Sequence, residues 1–194
     1  MGRHREFDVQ EVLDAALDVF WQKGYEGASY ADLTSATGVE RPGLYSAFGN
    51  KESLFKQALD RYYDYYLAFF PAALELPTSR GVVECLFFKS LELNTRYKDR
   101  KGCLGIQGAL ACSDASESVR LTVVEARANG EGILRERLER ARAEGDLPES
   151  ADSAALASYV CTVLHGMAVQ AKAGFSKERL EAVATIALSS WPSN

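Results

Sequence analysis

Helical periodicity broken by glycines constrains this chain more than any other feature. Apolar residues recur at three- and four-residue intervals from Val9 to Leu188, and the strict alternation of a half-buried strand is nearly absent. Asp8, with Glu11 three positions on, is an N-cap signal for a first helix from Val9 to about Lys23. Val12, Leu13, Ala16, Leu17, Val19 and Phe20 form its stripe, and Gly24 its stop. Ser29 and Asp32 open a short second helix that ends at Gly38. Pro42 suits the first turn of a third, Arg41 to Phe48, closed by Gly49. Asn50 caps a fourth, expected from Lys51 to Phe70 with Pro71 as its stop. Further segments follow over about 79–96, 104–111, 114–143, 153–173 and 176–190. The expectation is an all-α fold of about nine helices without internal repeats.

The second and third helices are separated only by Thr37 to Glu40, which is helix-turn-helix spacing. The reading unit then covers about residues 29–48. Composition narrows the rest. A length of 194 residues fits one large domain or a small one joined to a medium one. Cys85, Cys103, Cys112 and Cys161 form no C-x-x-C pair, so a structural zinc site is not expected. His4 and His165 are the two histidines, which limits imidazole catalysis, and no phosphate-binding glycine loop occurs. An enzyme is therefore not expected, nor a metal or cofactor. No secretory h-region and no run of about 18 apolar residues is read, so the expected location is cytoplasmic, without a membrane partner.

One series of spaced residues is distinctive: Phe20, Gly24-Tyr25, Ser29-Tyr30, Leu33, Gly38-Val39, Leu44-Tyr45, Phe48, Lys51 and Leu54. This pattern resembles the N-terminal domain of TetR/AcrR-family transcriptional regulators. The resemblance spans about residues 6–66. It implies a DNA-binding domain there, and a ligand-binding and dimerisation domain over 67–194. The stretches Gly102-Cys103-Leu104 and Gly166-Met167-Ala168-Val169-Gln170-Ala171 are similar to one subgroup of these C-terminal domains.

On that reading the third helix enters the major groove. Arg41 is the candidate for a guanine contact, since guanidinium matches the O6/N7 pair; a phosphate contact stands open beside it. Pro42 starts the helix, and Gly43 either lets the backbone approach DNA or merely allows packing. Tyr45 resembles the family tyrosine that binds phosphate. Lys51 opposes the dipole at its helix start, a cost that makes sense where phosphate binds. Ser29 and Tyr30 begin the second helix, where a cap and a phosphate contact are compatible. Glu40 stands where the family usually has Ser or Thr. Arg3 and Arg5 form a basic arm suited to the minor groove. Residues 1–60 nevertheless hold six cations against ten anions, so non-specific affinity is expected to be weak. About four to eight counterions are expected to be released per dimer.

One short reading helix needs a symmetric partner to gain specificity. The candidate homodimer interface is Leu156, Val160, Val163, Leu164 and Met167 on one helix with Leu180, Val183, Ile186 and Ala187 on the next. An effector pocket is drawn from Tyr66, Phe69, Phe88, Cys103, Gln107, Tyr159 and His165, with core packing the competing role for most of them. The expected function is a repressor released from a palindromic double-stranded operator by a small apolar or aromatic effector. The alternative is a redox or electrophile sensor using Cys103, which follows Arg100 and Lys101 at a helix start.

Overall fold

A computed structural model describes residues 7–99, 102–110 and 112–192. The arm at Arg3 and Arg5 and the Arg100–Lys101 pair lie outside the described residues. Among the described residues the chain forms ten α-helices, one 3-10 turn and no strand. The helices are α1 (Val9–Gly27), α2 (Tyr30–Thr37), α3 (Arg41–Phe48), α4 (Lys51–Tyr66) and α5 (Phe69–Leu74). They continue with α6 (Ser79–Arg96), α7 (Leu104–Gln107), α8 (Glu117–Ala143), α9 (Ser153–Lys172) and α10 (Lys177–Ser189), and the 3-10 turn Asp114–Ser116 precedes α8.

Local chemistry sets these boundaries. Asp8, Ser29, Asn50, Thr78, Asp152 and Ser176 each accept a first-turn backbone N–H of the helix they precede. Gly24 bends α1 with φ 71° and ψ 176°, a conformation a side chain would strain.

The expected fourth helix divides in two. Leu67 N–H reaches back to Tyr62 O at 3.3 Å, an i to i−5 bond that ends α4, and Phe70 N–H to Leu67 O restarts the chain as α5. Pro71 therefore does not stop a helix. It occupies the first turn of α5, where a missing N–H costs nothing. This extra break is why the count is ten rather than nine.

Two apolar cores result. The first joins Phe20, Trp21, Leu33, Leu44, Phe48, Phe55 and Tyr62 of the head to Leu104, Val119, Val123 and Ala168 of the body. The second lies wholly in the body, with Val82, Leu86, Phe87, Leu138, Val160, Met167 and Leu180. Head and body thus share a continuous interior through α1 and α4.

One composition reading needs correction. By length and composition α9 could cross a bilayer, because Ser153 to Ala171 contains no Asp, Glu, Lys or Arg. In the fold its inner face packs on α6, α8 and α10.

Candidate nucleic-acid interface and effector cavity

The head is built from short-range bonds. Ser29 Oγ accepts Asp32 N–H at 3.1 Å and donates to Asp32 Oδ2 at 2.7 Å. That carboxylate also accepts Ser29 N–H at 3.0 Å, completing a capping box. Lys23 pairs with Asp32 as well. The Lys23 ammonium, then the Ser29 groups, hold the Asp32 carboxyl well below the usual carboxylate range. One anion of the reading unit is thereby compensated locally, and the Ser29 hydroxyl proton is committed to its cap.

Gly38, at φ 66°, turns the chain from α2 into α3. Leu44 and Phe48 of α3 are buried, while Arg41, Pro42, Tyr45 and Ser46 are exposed. Three of the expected contacts come together as one stack. The Arg41 guanidinium carbon lies 4.0 Å from the Tyr30 ring centroid, and Arg41 Nη2 donates to Tyr45 Oη at 3.4 Å. The Tyr30 and Tyr45 rings stack at 5.5 Å. The Tyr30 hydroxyl accepts the backbone N–H of Lys51 at 3.1 Å, which ties α2 to the start of α4. Lys51 Nζ lies 4.5 Å from the Tyr25 ring centroid. Burial lowers the Lys51 pKa against the opposing pull of Glu26. Tyr25 belongs to the spaced series, but nothing in the spacing paired it with Lys51, 26 positions away.

Gly43 faces inward. A Cβ there would sit 2.8 Å from Val39 Cγ1, so the missing side chain makes room for the turn. Glu40 is exposed and makes no side-chain cap bond.

The head is tied to the body at several points. Trp21 Nε1 donates to Gly102 O at 2.9 Å, and Tyr25 N–H donates to Gly108 O at 2.7 Å. Glu26 Oε1 accepts both the N–H and the hydroxyl of Ser113, and Glu52 Oε1 accepts the hydroxyl of Ser118 at 2.6 Å. Hydrogen bonds from Ser116 and Ser113 hold the Glu26 carboxyl down at about 2.

A cavity of about 390 Å³ opens in the body between α4, α5, α6, α7, α8 and α9. Its apolar wall includes Leu67, Phe69, Phe70, Leu93, Ile106 and Leu164, and its polar groups include Tyr63, Asn94, Arg127, Glu131 and His165. Of the expected pocket residues, Phe69, Cys103 and His165 line it. The other four lie elsewhere. Tyr66 packs edge-on against Trp21 at 4.8 Å, and Phe88 packs on the second core. Gln107 donates to Ala168 O at 2.9 Å, and Tyr159 is exposed on the outer face of α9. The charged groups from α8 went unread, because Arg127 and Glu131 look like a solvated face in a helix as polar as this one.

Cys103 is buried and takes a hydrogen bond from Tyr62 Oη at 3.3 Å. Burial pushes its thiol up, outweighing the hydrogen bonds from Tyr62, Gly105 and Ile106 that pull it down.

The expected dimer residues divide in the same way. Val160, Met167, Leu180 and Ala187 are buried inside the chain, and Leu164 lines the cavity. Leu156 and Val163 are half-buried. Val183 and Ile186 are exposed, as are Tyr159 and Val169 of α9, with Ile186 at 70%.

The comparisons with known proteins agree with this arrangement. Bacterial regulatory proteins of the tetR family match over residues 12–58, and the tetracyclin repressor-like C-terminal domain over 85–187. The HTH-type transcriptional repressor ComR of Escherichia coli (strain K12) is 35% identical over 193 residues, covering 98% of this chain and 92% of ComR. The repressor BdcR of the same strain is 30% identical, covering 96% and 90%. The TetR family transcriptional regulator CifR, a cysteine mutant solved with 26 bp operator DNA, matches at a TM-score of 0.94. It is 40% identical and covers 98% of this chain and 100% of that one. With both domains matched and relatives aligned along nearly the whole chain, this protein belongs to the TetR family of bacterial transcriptional regulators.

Proposed function

We propose that this protein is a homodimeric repressor that binds a palindromic operator through α2 and α3 and leaves it when a small apolar or aromatic molecule fills the body cavity. The observation that carries this reading is the course of α4. Its first residue, Lys51, is bonded to the reading unit through Tyr30, and its last turn supplies Tyr63 to the cavity wall. A ligand that shifts the α4–α5 break therefore moves the reading head. The ligand must bind the two states with different affinities, and a few kcal/mol suffices to switch.

Operator contact is assigned to Arg41, Tyr45 and Lys51, with Tyr30 and Ser29 holding them and Pro42 beside them. Residues 6–66 are taken as the DNA-binding domain and 67–194 as the effector and dimer domain. The exposed apolar residues Tyr159 of α9 and Val183 and Ile186 of α10 support pairing of these helices with a second copy. Thiol sensing has one observation in its favour, the place of Cys103 on the cavity wall, and one against it, the raised thiol.

The test is selection of genomic fragments by the purified protein at about physiological salt. Recovery of a near-palindrome bound by two protomers is expected. Absence of any enriched site from protein freed of bound small molecules would refute the assignment.

A further inference from the structure

The polar lining of the cavity has a one-sided chemistry. Among the described residues Arg127 has no hydrogen-bond or ion-pair partner, and its guanidinium brings up to five N–H donors. Asn94 is 2% exposed, lines the same space and has no side-chain partner among the described residues. The Tyr63 hydroxyl lies against the backbone of Gly105, where a Cβ would come within 2.7 Å of it, and makes no hydrogen bond there. Burial pushes that hydroxyl well up, so it stays a donor. His165 is pushed down by burial and then by Arg127, so it is neutral near pH 7 and keeps one N–H. Among the described residues, four groups that can donate thus line the cavity without a side-chain acceptor.

Glu131, the one carboxylate in the wall among the described residues, does not supply that acceptor. Glu131 stands a turn beyond Arg127 on α8 and accepts from the Ser158 hydroxyl. Its charge acts on Cys161, that of Arg127 acts on Tyr63 and Cys103, and His165 is within range of both. Asp60 also acts on Tyr63, but less than Arg127 does, so the Tyr63 side of the cavity stays positive. The remaining wall, with Phe69, Phe70, Leu93 and Ile106, is apolar. A cavity of about 150 Å³ holds one benzene, so one of about 390 Å³ has room for two fused rings or a chain of about ten carbons.

We infer that the effector is a small organic monoanion, a carboxylate on an apolar body, whose oxygens take Arg127 together with Asn94 and Tyr63. This rests on reading the cavity as the effector site. Guanidinium matches a carboxylate in a bidentate pair, and an apolar surround strengthens that pair. The ring or chain lies toward α5, so occupancy presses on the break between α4 and α5.

The experiment titrates the intact dimer with 2-naphthoate, 2-naphthamide and naphthalene, reading binding by calorimetry and operator release by fluorescence anisotropy. The expected result is that naphthoate binds at least about tenfold tighter than naphthamide and releases operator. Arg127→Gln should erase that preference while leaving the melting temperature unchanged, and Arg127→Lys should restore part of it. Equal binding of acid and amide, or binding of naphthalene without naphthoate, would overturn the anion assignment and leave the cavity reading standing. If none of the three binds, both readings fall together.

Discussion

Gly43 offers a quantitative test of the reading head. In Gly43→Ala the new Cβ would stand 2.8 Å from Val39 Cγ1, well inside the 3.5–4.0 Å at which carbon contacts are optimal. Overpacking of this kind costs about 1–3 kcal/mol, while replacing glycine by alanine in a helix returns about 1. The single variant should therefore lose about 1 kcal/mol. Val39 is nearly buried at 9% exposure, and Val39→Ala removes two methyl groups worth about 1.6 kcal/mol. That same truncation removes the atom the new Cβ strikes. The double variant keeps the helix gain without the clash and should fall only about 0.6 kcal/mol below the parent. Independent costs would place it about 2.6 below, so the coupling is about 2 kcal/mol.

Urea unfolding at one fixed protomer concentration measures this cycle, since a dimer's stability depends on concentration. A coupling under about 0.5 kcal/mol would refute the packing argument. The double variant also decides between the two roles open for Gly43. If the glycine serves packing alone, operator affinity returns to within about threefold of the parent. If the α3 backbone itself must approach DNA, the double variant folds and still fails to bind.

Four further outcomes follow from the same geometry. Arg41→Ala should cost about 1–3 kcal/mol per half-site and relax preference at one base pair, whereas Lys51→Met should weaken all sequences alike and reduce the salt slope; competition binding across operator variants separates them. Ile186→Glu should convert dimers to monomers in light scattering without changing the helical circular dichroism, and a persisting dimer would disprove the α9–α10 pairing. Cys103 should react with iodoacetamide at neutral pH at least about tenfold more slowly than free cysteine, because its raised pKa leaves little thiolate. Glu26 titrates at about 2 in the fold, below its unfolded value, so its latch to Ser113 and Ser116 is complete above about pH 5 and is lost as pH falls toward 2. The melting-temperature gap between the parent and Glu26→Gln should therefore narrow on acidification.

The two sites were not equally legible in the sequence. The proposed nucleic-acid interface lies within 23 consecutive positions, Ser29 to Lys51, and local rules govern all of it: a capping box, a left-handed glycine, a proline in a first turn. The cavity draws its lining from six helices, from a single residue of α4 to six of α8. Of the aromatic residues expected in the pocket near the end of α4, Phe69 lines the cavity and Tyr66 does not. Tyr62 and Tyr66 stack at 5.6 Å and meet Trp21 edge-on, closing the core between head and body. Nothing along α8 marks Arg127 as inward-facing. That follows from the gap left between α6 and α9, a tertiary fact without a periodic trace.

The same limit explains the offset in the dimer stripe. Periodicity shows that Leu156, Val160, Val163, Leu164 and Met167 must be covered, and says nothing of which neighbour covers them. The fold gives Val160 and Met167 to the chain's own core and Leu164 to the cavity, leaving Tyr159 and Val169 outside. On the proposed reading, a helix that meets its own body on one side, an effector on another and a second copy on a third has no face left for charge. That demand accounts for the uncharged run from Ser153 to Ala171, and hence for a composition that by itself would suit a bilayer. Ile186→Glu probes this directly. A charge placed there should be tolerated by the folded protomer and refused by the pair.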